Sequence, residues 1–535
     1  MKSLLGVFFL IAAAPAQDIS SERIRAHVKF LSSDLMEGRG VGTRGDELAT
    51  EYLATQFALV GAKPAGDNGS YFQNVPLVGV ETAPGVQLAA SRGGRSMTLR
   101  WLSDFVGVNE RHNPQERVDA EAVFVGHGIS AREYGWDDFK DVDVTGKVVV
   151  LFTNEPPSSD PKFFGGKALT YYGRWTYKFE EATRRGALAA LIIHTTPTAG
   201  YGWEVVRTSW GRESPFVKLA PGSAALAFAG WVTQEAGEKL LAMAGHSVAD
   251  LLKAADAREF RPIPLGIRIR ASIPSKVREI RTRNVAAVVP GSDPDLSSQA
   301  VIFSAHWDHL GRGEPVNGDS IYNGAVDNAT GLGILLELAH VWAAMPQKPR
   351  RSALFLAVTA EEGGLRGSDF YATQPIFASG KTAVALNFDG LFPAGRTKDT
   401  VVSGAERTTL YPVVQQAAQR MKLTIAPDPR PEQGSYYRSD HFPFAKAGIP
   451  AFTVGEGSEF YGKPEKFGEQ MFKEFNAKHY HQPSDSYQDD WDFSGLEHLA
   501  HFGLLIAVDA ANQDTLPTWA PGDEFLAARE KSGVR

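Results

Sequence analysis

The chain has 535 residues, 43% hydrophobic and 22% charged, which gives room for more than one buried core and excludes a disordered or fibrous protein. Its formal net charge of -7, without any Lys/Arg run, leaves no electrostatic footprint for a nucleic-acid partner. The absence of cysteine excludes disulfides, thiolate catalysis and cysteine-based zinc sites, so any bound metal must be held by histidines and carboxylates.

Met1-Lys2 is a short positive start, Leu4 to Ala14 an apolar run, and Ala14-Pro15-Ala16 a small-x-small cleavage site. Residues 1–16 therefore read as a signal peptide, and the chain as exported to the periplasm or the medium. The run is well short of the ~20 apolar residues of a spanning helix, and no later stretch is long enough, so no membrane span is expected after cleavage. Ile19 to Val60 reads as two helices around a Gly- and Arg-rich loop at Gly38 to Gly45. Short strands follow between Ser70 and Val108.

From Val118 to Ala271 the texture changes. Ala122 to Val125 and Val148 to Phe152 are short β-branched strands, and the charged helix Lys178 to Arg185 leads into an apolar strand, Leu188 to Ile193. From Asn284 onward apolar strands (Val285 to Val289, Ala300 to Ala305, Ser352 to Thr359, Ala383 to Phe388, Pro450 to Val454) alternate with amphipathic helices such as Gly331 to Trp342 and Leu410 to Met421. That alternation predicts an α/β domain with a mixed, mostly parallel central sheet flanked by helices, whose functional residues collect at the carboxyl ends of the strands.

Several of those ends finish on metal-ligand residue types. Ala305 runs into His306-Trp307-Asp308, Ala360 into Glu361-Glu362, and Phe388 into Asp389-Gly390; Asp327 opens an apolar helix, and His481 sits in a late His-Tyr-His run. Each alone has an ordinary explanation: a polar turn for His306 and Asp308, a helix N-cap for Asp327, a solvated pair for the glutamates, a turn for Asp389, a surface histidine for His481. The glutamate pair is the hardest to dismiss, because adjacent carboxylates after the apolar run ALFLAVTA repel unless a cation compensates.

In this order, the motifs SAHWDHLG, GAVDNATGLGILLELA, AVTAEEGGLRGS, LNFDG, YYRSDHFPFAKAGIPAF and YHQPSD resemble the zinc exopeptidase family of dizinc aminopeptidases, glutamate carboxypeptidases and the transferrin receptor ectodomain. The resemblance implies a phosphorylase/hydrolase-like three-layer domain made of residues 17–117 and 272–515, followed by a C-terminal tail at 516–535. The segments GKVVVLF and EEATRRGALAALIIH resemble a protease-associated domain, β-rich and α+β, inserted at 118–271 and not itself catalytic.

Carried onto this sequence, the family pattern implies two Zn2+ ions. His306 and Asp389 would be terminal ligands of one, Glu362 and His481 of the other, with Asp327 bridging. Glu361 would be the general base, Asp308 would fix the His306 tautomer with its carboxylate, and Tyr436 would donate to the oxyanion, with Tyr437 as the alternative. His309 reads as a supporting or rim residue and Arg438 as an exposed loop arginine. The function implied is removal of amino-terminal residues from peptides. The rivals are a carboxypeptidase or dipeptidase using Arg438 or Lys446, a single-zinc glutaminyl cyclase, and a non-catalytic receptor-like protein. The sequence does not indicate an oligomeric state.

Overall fold

The computed structural model describes residues 18–160, 162–220 and 222–534; the expected signal peptide, 1–16, lies outside them. The helices α1 (Ser21–Leu31) and α2 (Arg44–Leu59) stand where the periodicity puts them. Ser20 and Thr43, whose side chains accept from Arg23 and Gly45 N–H groups, start the two helices.

The strands in chain order are β1 (Phe72–Thr82), β2 (Gln87–Arg92), β3 (Phe105–Val108), β4 (Gln115–Phe124), β5 (Val148–Phe152), β6 (Ala189–Ile193) and β7 (Phe228–Val232). They continue with β8 (Ile263–Val289), β9 (Ala300–His306), β10 (Ser352–Val358), β11 (Thr382–Asn387) and β12 (Ala451–Thr453). The first sheet runs β12-β11-β9-β10-β8, with β1 on the far side of β8. Its centre is parallel, β9 pairing with both β10 and β11, while β8 is antiparallel to β10 and β1. The uniformly buried strands β9, β10 and β11 are the near-continuous apolar runs expected of parallel strands covered on both faces.

β8 is shared between two sheets. Its first part pairs with β4 and β2, and a second, largely parallel sheet extends from β4 through β5, β6 and β7 to β3. This second sheet is wider than the segment 118–271, since β2 and β3 lie N-terminal to Val118 and are hydrogen-bonded into it. Composition missed this because β2 and β3 are short strands of ordinary polarity, and their partners are far away in sequence.

The helix α3 (Trp203–Trp210) packs on β3 of the second sheet, and its Thr208 hydroxyl donates to the His481 carbonyl at 3.2 Å. In the first layer α4 (Thr330–Ala344) is buried on nearly every face, and its one carboxylate, Glu337, is paired with Arg23 at 2.6 Å, tying α1 to the core. A further helix, α5 (Ser494–Asn512), packs beside it. Residues 516–534, expected as a tail, are docked: Arg529 is fully buried and donates to the carbonyls of Ser379, Thr382 and Pro517.

Candidate active site

The strand order explains why residues far apart in sequence meet. β9 lies between β10 and β11, all parallel, so their carboxyl ends are neighbours spaced by about 4.8 Å. β9 ends on His306, β10 leads through Ala360 into Glu361-Glu362, and β11 leads into Asp389. Ala360 adopts a left-handed conformation, φ 53°, and this turn at the strand end swings both glutamates over the sheet edge. Asp327 arrives just before α4, held from behind: its N–H and that of Val326 donate to the Asp485 carboxylate at 3.0 and 2.9 Å. It caps no helix, contrary to its ordinary reading.

These groups converge. His306 Nε2 stands 3.1 Å from Asp327 Oδ1 and 3.2 Å from Asp389 Oδ1. His481 Nε2 is 3.0 Å from Glu362 Oε2 and 3.4 Å from Asp327 Oδ2. Asp327 is therefore common to two donor sets, one with His306 and Asp389, the other with Glu362 and His481. All the ligand residues expected from the sequence are brought together.

Two expected roles are corrected. The ring nitrogen Nδ1 of His306 donates to the backbone carbonyl of Asp308 at 3.0 Å, while the Asp308 carboxylate is 3.8 Å away. The carbonyl sets the tautomer; the carboxylate instead accepts the backbone N–H groups of Glu361 and Glu362 at 3.0 and 3.3 Å. Tyr436 is no oxyanion donor: it is buried in the apolar cluster behind β11 and β12, and its hydroxyl donates to the Ala451 carbonyl at 3.2 Å. The short turn Ser435–Tyr437 points Tyr436 into the core and ties Tyr437 to Glu524.

Other residues had no role, or only a general one, in the sequence. His309, expected to be a supporting or rim residue, is fully buried, with Nδ1 2.6 Å from Glu362 Oε1, and it joins Asp327 and Glu362 in a set of mutually close donor atoms. Tyr480 packs against His481 with ring centroids 4.0 Å apart and planes tilted by 34°, and lines the cavity above the cluster. Ser439 donates to Asp389, and accepts from Asn387, which in turn accepts from Ser304. Ser209 on α3 shares a 2.8 Å hydrogen bond with His481 Nδ1, so the second layer orients this histidine. Only adjacency to His306 and His481 could have marked His309 and Tyr480; nothing local marked Ser209.

The two adjacent glutamates are driven in opposite directions. Burial raises the Glu361 carboxyl well above the usual range, with the Asp389 and Glu362 charges adding to it and His306 opposing. Glu362 is equally buried, yet His481 and His309 hold it down to about 2. Asp327 is likewise held well below its usual value against burial by His306 and His481. Neighbouring carboxylates split this way take different roles: Glu362 and Asp327 stay ionised as donors, and Glu361 is suited to accept a proton.

The donor set fits zinc. It consists of imidazoles and carboxylates, and Glu362 Oε1 and both His309 nitrogens are buried without a well-formed hydrogen bond. Among the described residues no lysine or arginine forms a salt bridge with Asp327, Glu361, Glu362 or Asp389, so a cation is what would balance them.

A buried imidazole and carboxylate cluster with one spare carboxyl, on the strand ends of an α/β sheet and open to a cavity of about 710 Å3, places the chain among metal-dependent hydrolases. Residues 284–505 match the model of peptidase family M28. A protein of Pyricularia oryzae described as a probable zinc metalloprotease is 34% identical over 125 residues, 23% of each chain. Leupeptin-inactivating enzyme 1 of Streptomyces exfoliatus is 26% identical over 210 residues, 38% of this chain and 43% of its own. The matches thus span less than half the length of these curated relatives. In fold, the aminopeptidase of Aneurinibacillus sp. strain AM-1 superposes with a TM-score of 0.56 at 20% identity, over 94% of this chain and 97% of that one.

Proposed function

We propose that the chain is an exported metallo-aminopeptidase that removes amino-terminal residues from peptides at a two-zinc centre. The observation that carries this reading is that Asp327 is shared by two donor sets, one with His306 and Asp389 and one with Glu362 and His481, while the adjacent Glu361 is left outside both. His306 and Asp389 would hold one zinc, Glu362 and His481 the other, and Asp327 both. When bound there, zinc lowers the pKa of a water toward neutrality and polarises the peptide carbonyl.

The chain's own groups do the rest. Glu361 takes the proton of the attacking water and delivers it to the leaving amine nitrogen. Asp308 fixes the backbone of both glutamates, so the base stays aimed. The Tyr480 hydroxyl, on a residue that lines the cavity beside His481, would donate to the developing oxyanion. The second layer, read as a protease-associated domain, walls the cavity and orients His481 through Ser209. Export rests on residues 1–16, and N-terminal sequencing of secreted protein is expected to begin at Gln17.

The test is metal content and turnover together. Purified protein is expected to hold about two zinc ions per chain and to cleave leucine p-nitroanilide. Glu361→Gln should keep the zinc and lose at least about 1,000-fold in kcat. A single bound zinc, or full turnover in Glu361→Gln, would overturn this reading.

A further inference from the structure

His309 has no work in the mechanism above, yet the fold places it closely. The loop after β9 is pinned where the His309 N–H donates to the Arg39 carbonyl at 3.3 Å. The Cγ–Cδ2 edge of the ring lies against the backbone at Gly324, where a Cβ would come within 2.5 and 2.6 Å of those two atoms. The imidazole therefore fits only because residue 324 is glycine, a residue that also tolerates the local φ of 58°.

Held in this way, His309 Nδ1 stands 2.6 Å from Glu362 Oε1, while Glu362 Oε2 faces His481 Nε2 at 3.0 Å. Each oxygen of this carboxylate thus has its own imidazole. The His309 contact is short but not aligned as a hydrogen bond, and Glu362 Oε1 and both His309 nitrogens are left buried without a partner. Polar atoms orphaned side by side in the interior call for a group that binds both. Two atoms bound to one zinc at about 2.0–2.2 Å lie no more than about 4.4 Å apart, and this pair is within that span. Asp327 presents a ligand atom to the same two residues.

We propose that His309 is itself a ligand of the zinc assigned to Glu362 and His481, so that the two metal positions are unequal. The inference rests on the two-zinc reading and deepens it. The position at His309 is closed by four protein groups, His309, His481, Glu362 and Asp327, in the manner of a structural zinc site. The position at His306 and Asp389 has three, counting Asp327, and keeps room for substrate, in the manner of a catalytic one. The first zinc to bind enters the closed position, and the first to leave on chelation comes from the open one.

The experiment is X-ray absorption on the full chain loaded with one equivalent of zinc, which counts the imidazoles around the tighter ion without any turnover. About two are expected in the wild type, from His309 and His481, and about one in His309→Gln. Chelator competition should show the first zinc held at least about 10-fold more tightly than the second. His309→Gln should weaken the first by about 100-fold or more and leave the second within about threefold. The wild-type imidazole count decides the matter even where the variant fails to fold.

A first ion with one imidazole overturns the proposal, as does a variant that binds its first zinc with the parent's affinity or keeps both imidazoles around it. If the chain takes two zinc ions and cleaves peptides while the first carries one imidazole, the His309 assignment falls and the peptidase reading stands. If it takes a single zinc surrounded by two imidazoles, the two-zinc reading falls and His309 remains a ligand.

Discussion

The Asp308 carboxylate accepts the backbone N–H of Glu361 at 3.0 Å, from inside the strand-end loop that also carries His306. The same carboxylate takes the next N–H, that of Glu362, so one side chain holds both the proposed base and a proposed ligand. Burial pushes its carboxyl up to about 8, and removing it strands two buried donors. Asp308→Ala is expected to cost about 2–5 kcal/mol of stability and to lower kcat by about 100-fold or more, since an ångström of misplacement of the base is enough for that. Asp308→Asn, which can satisfy only one of the two N–H groups, should fall between. A variant with the parent's kcat and melting temperature would show that the hydrogen bonds are incidental.

Arg39 is the counterpart of Asp308 on the other side of the cluster. Fully buried, it donates to the carbonyls of Trp307, Leu31, Asn323 and Gly324 at 2.8, 2.6, 2.7 and 2.9 Å. It therefore stitches the turn after α1 to the segments bearing His306 and Asp327. Arg39→Met should lower the unfolding free energy by about 3 kcal/mol or more, because several buried carbonyls lose their donor at once. Zinc affinity should fall with it. Calorimetric melting with and without added zinc checks both.

The two tyrosines separate cleanly. Tyr480→Phe is expected to reduce kcat by about 100- to 1,000-fold with little change in KM, the size of a lost oxyanion donor. Tyr436→Phe, which removes only a bond to the Ala451 carbonyl, should leave kcat within about threefold and cost about 1 kcal/mol of stability. The reverse pattern in steady-state kinetics would reinstate Tyr436.

His441 supplies an acid limit. Burial, with the Arg407 charge adding to it, lowers this imidazole from 6.5 to about 3. A depressed folded-state pKa means the unfolded chain binds the proton more readily, so the stability present above pH 6.5 is lost as pH falls toward 3. The wild type should lose about 1.4 kcal/mol per pH unit through this group. Relative to His441→Leu, its melting temperature should drop progressively between pH 6.5 and 4. Parallel curves for the two proteins would contradict the burial argument.

The sequence by itself determined the α/β domain and the chemistry's residue types. Apolar strands with period-breaking turns, and helices at 3.6 spacing, mark elements whatever their partners are. His306, Glu361, Glu362 and Asp389 were legible because each stands where an apolar strand ends, Asp327 because it precedes an apolar helix, and His481 only through the family pattern. What local pattern could not carry was direction and partnership. Asp308 and Tyr436 were assigned the wrong contacts because backbone N–H and carbonyl groups, which compete for them, leave no mark in a sequence. Ser209 became a functional candidate only through the meeting of two layers, and β2 and β3 joined the second sheet through pairings across more than 120 residues of chain. Tertiary structure decided these, because burial and hydrogen bonding belong to neighbours in space, and space is set by the sheet order.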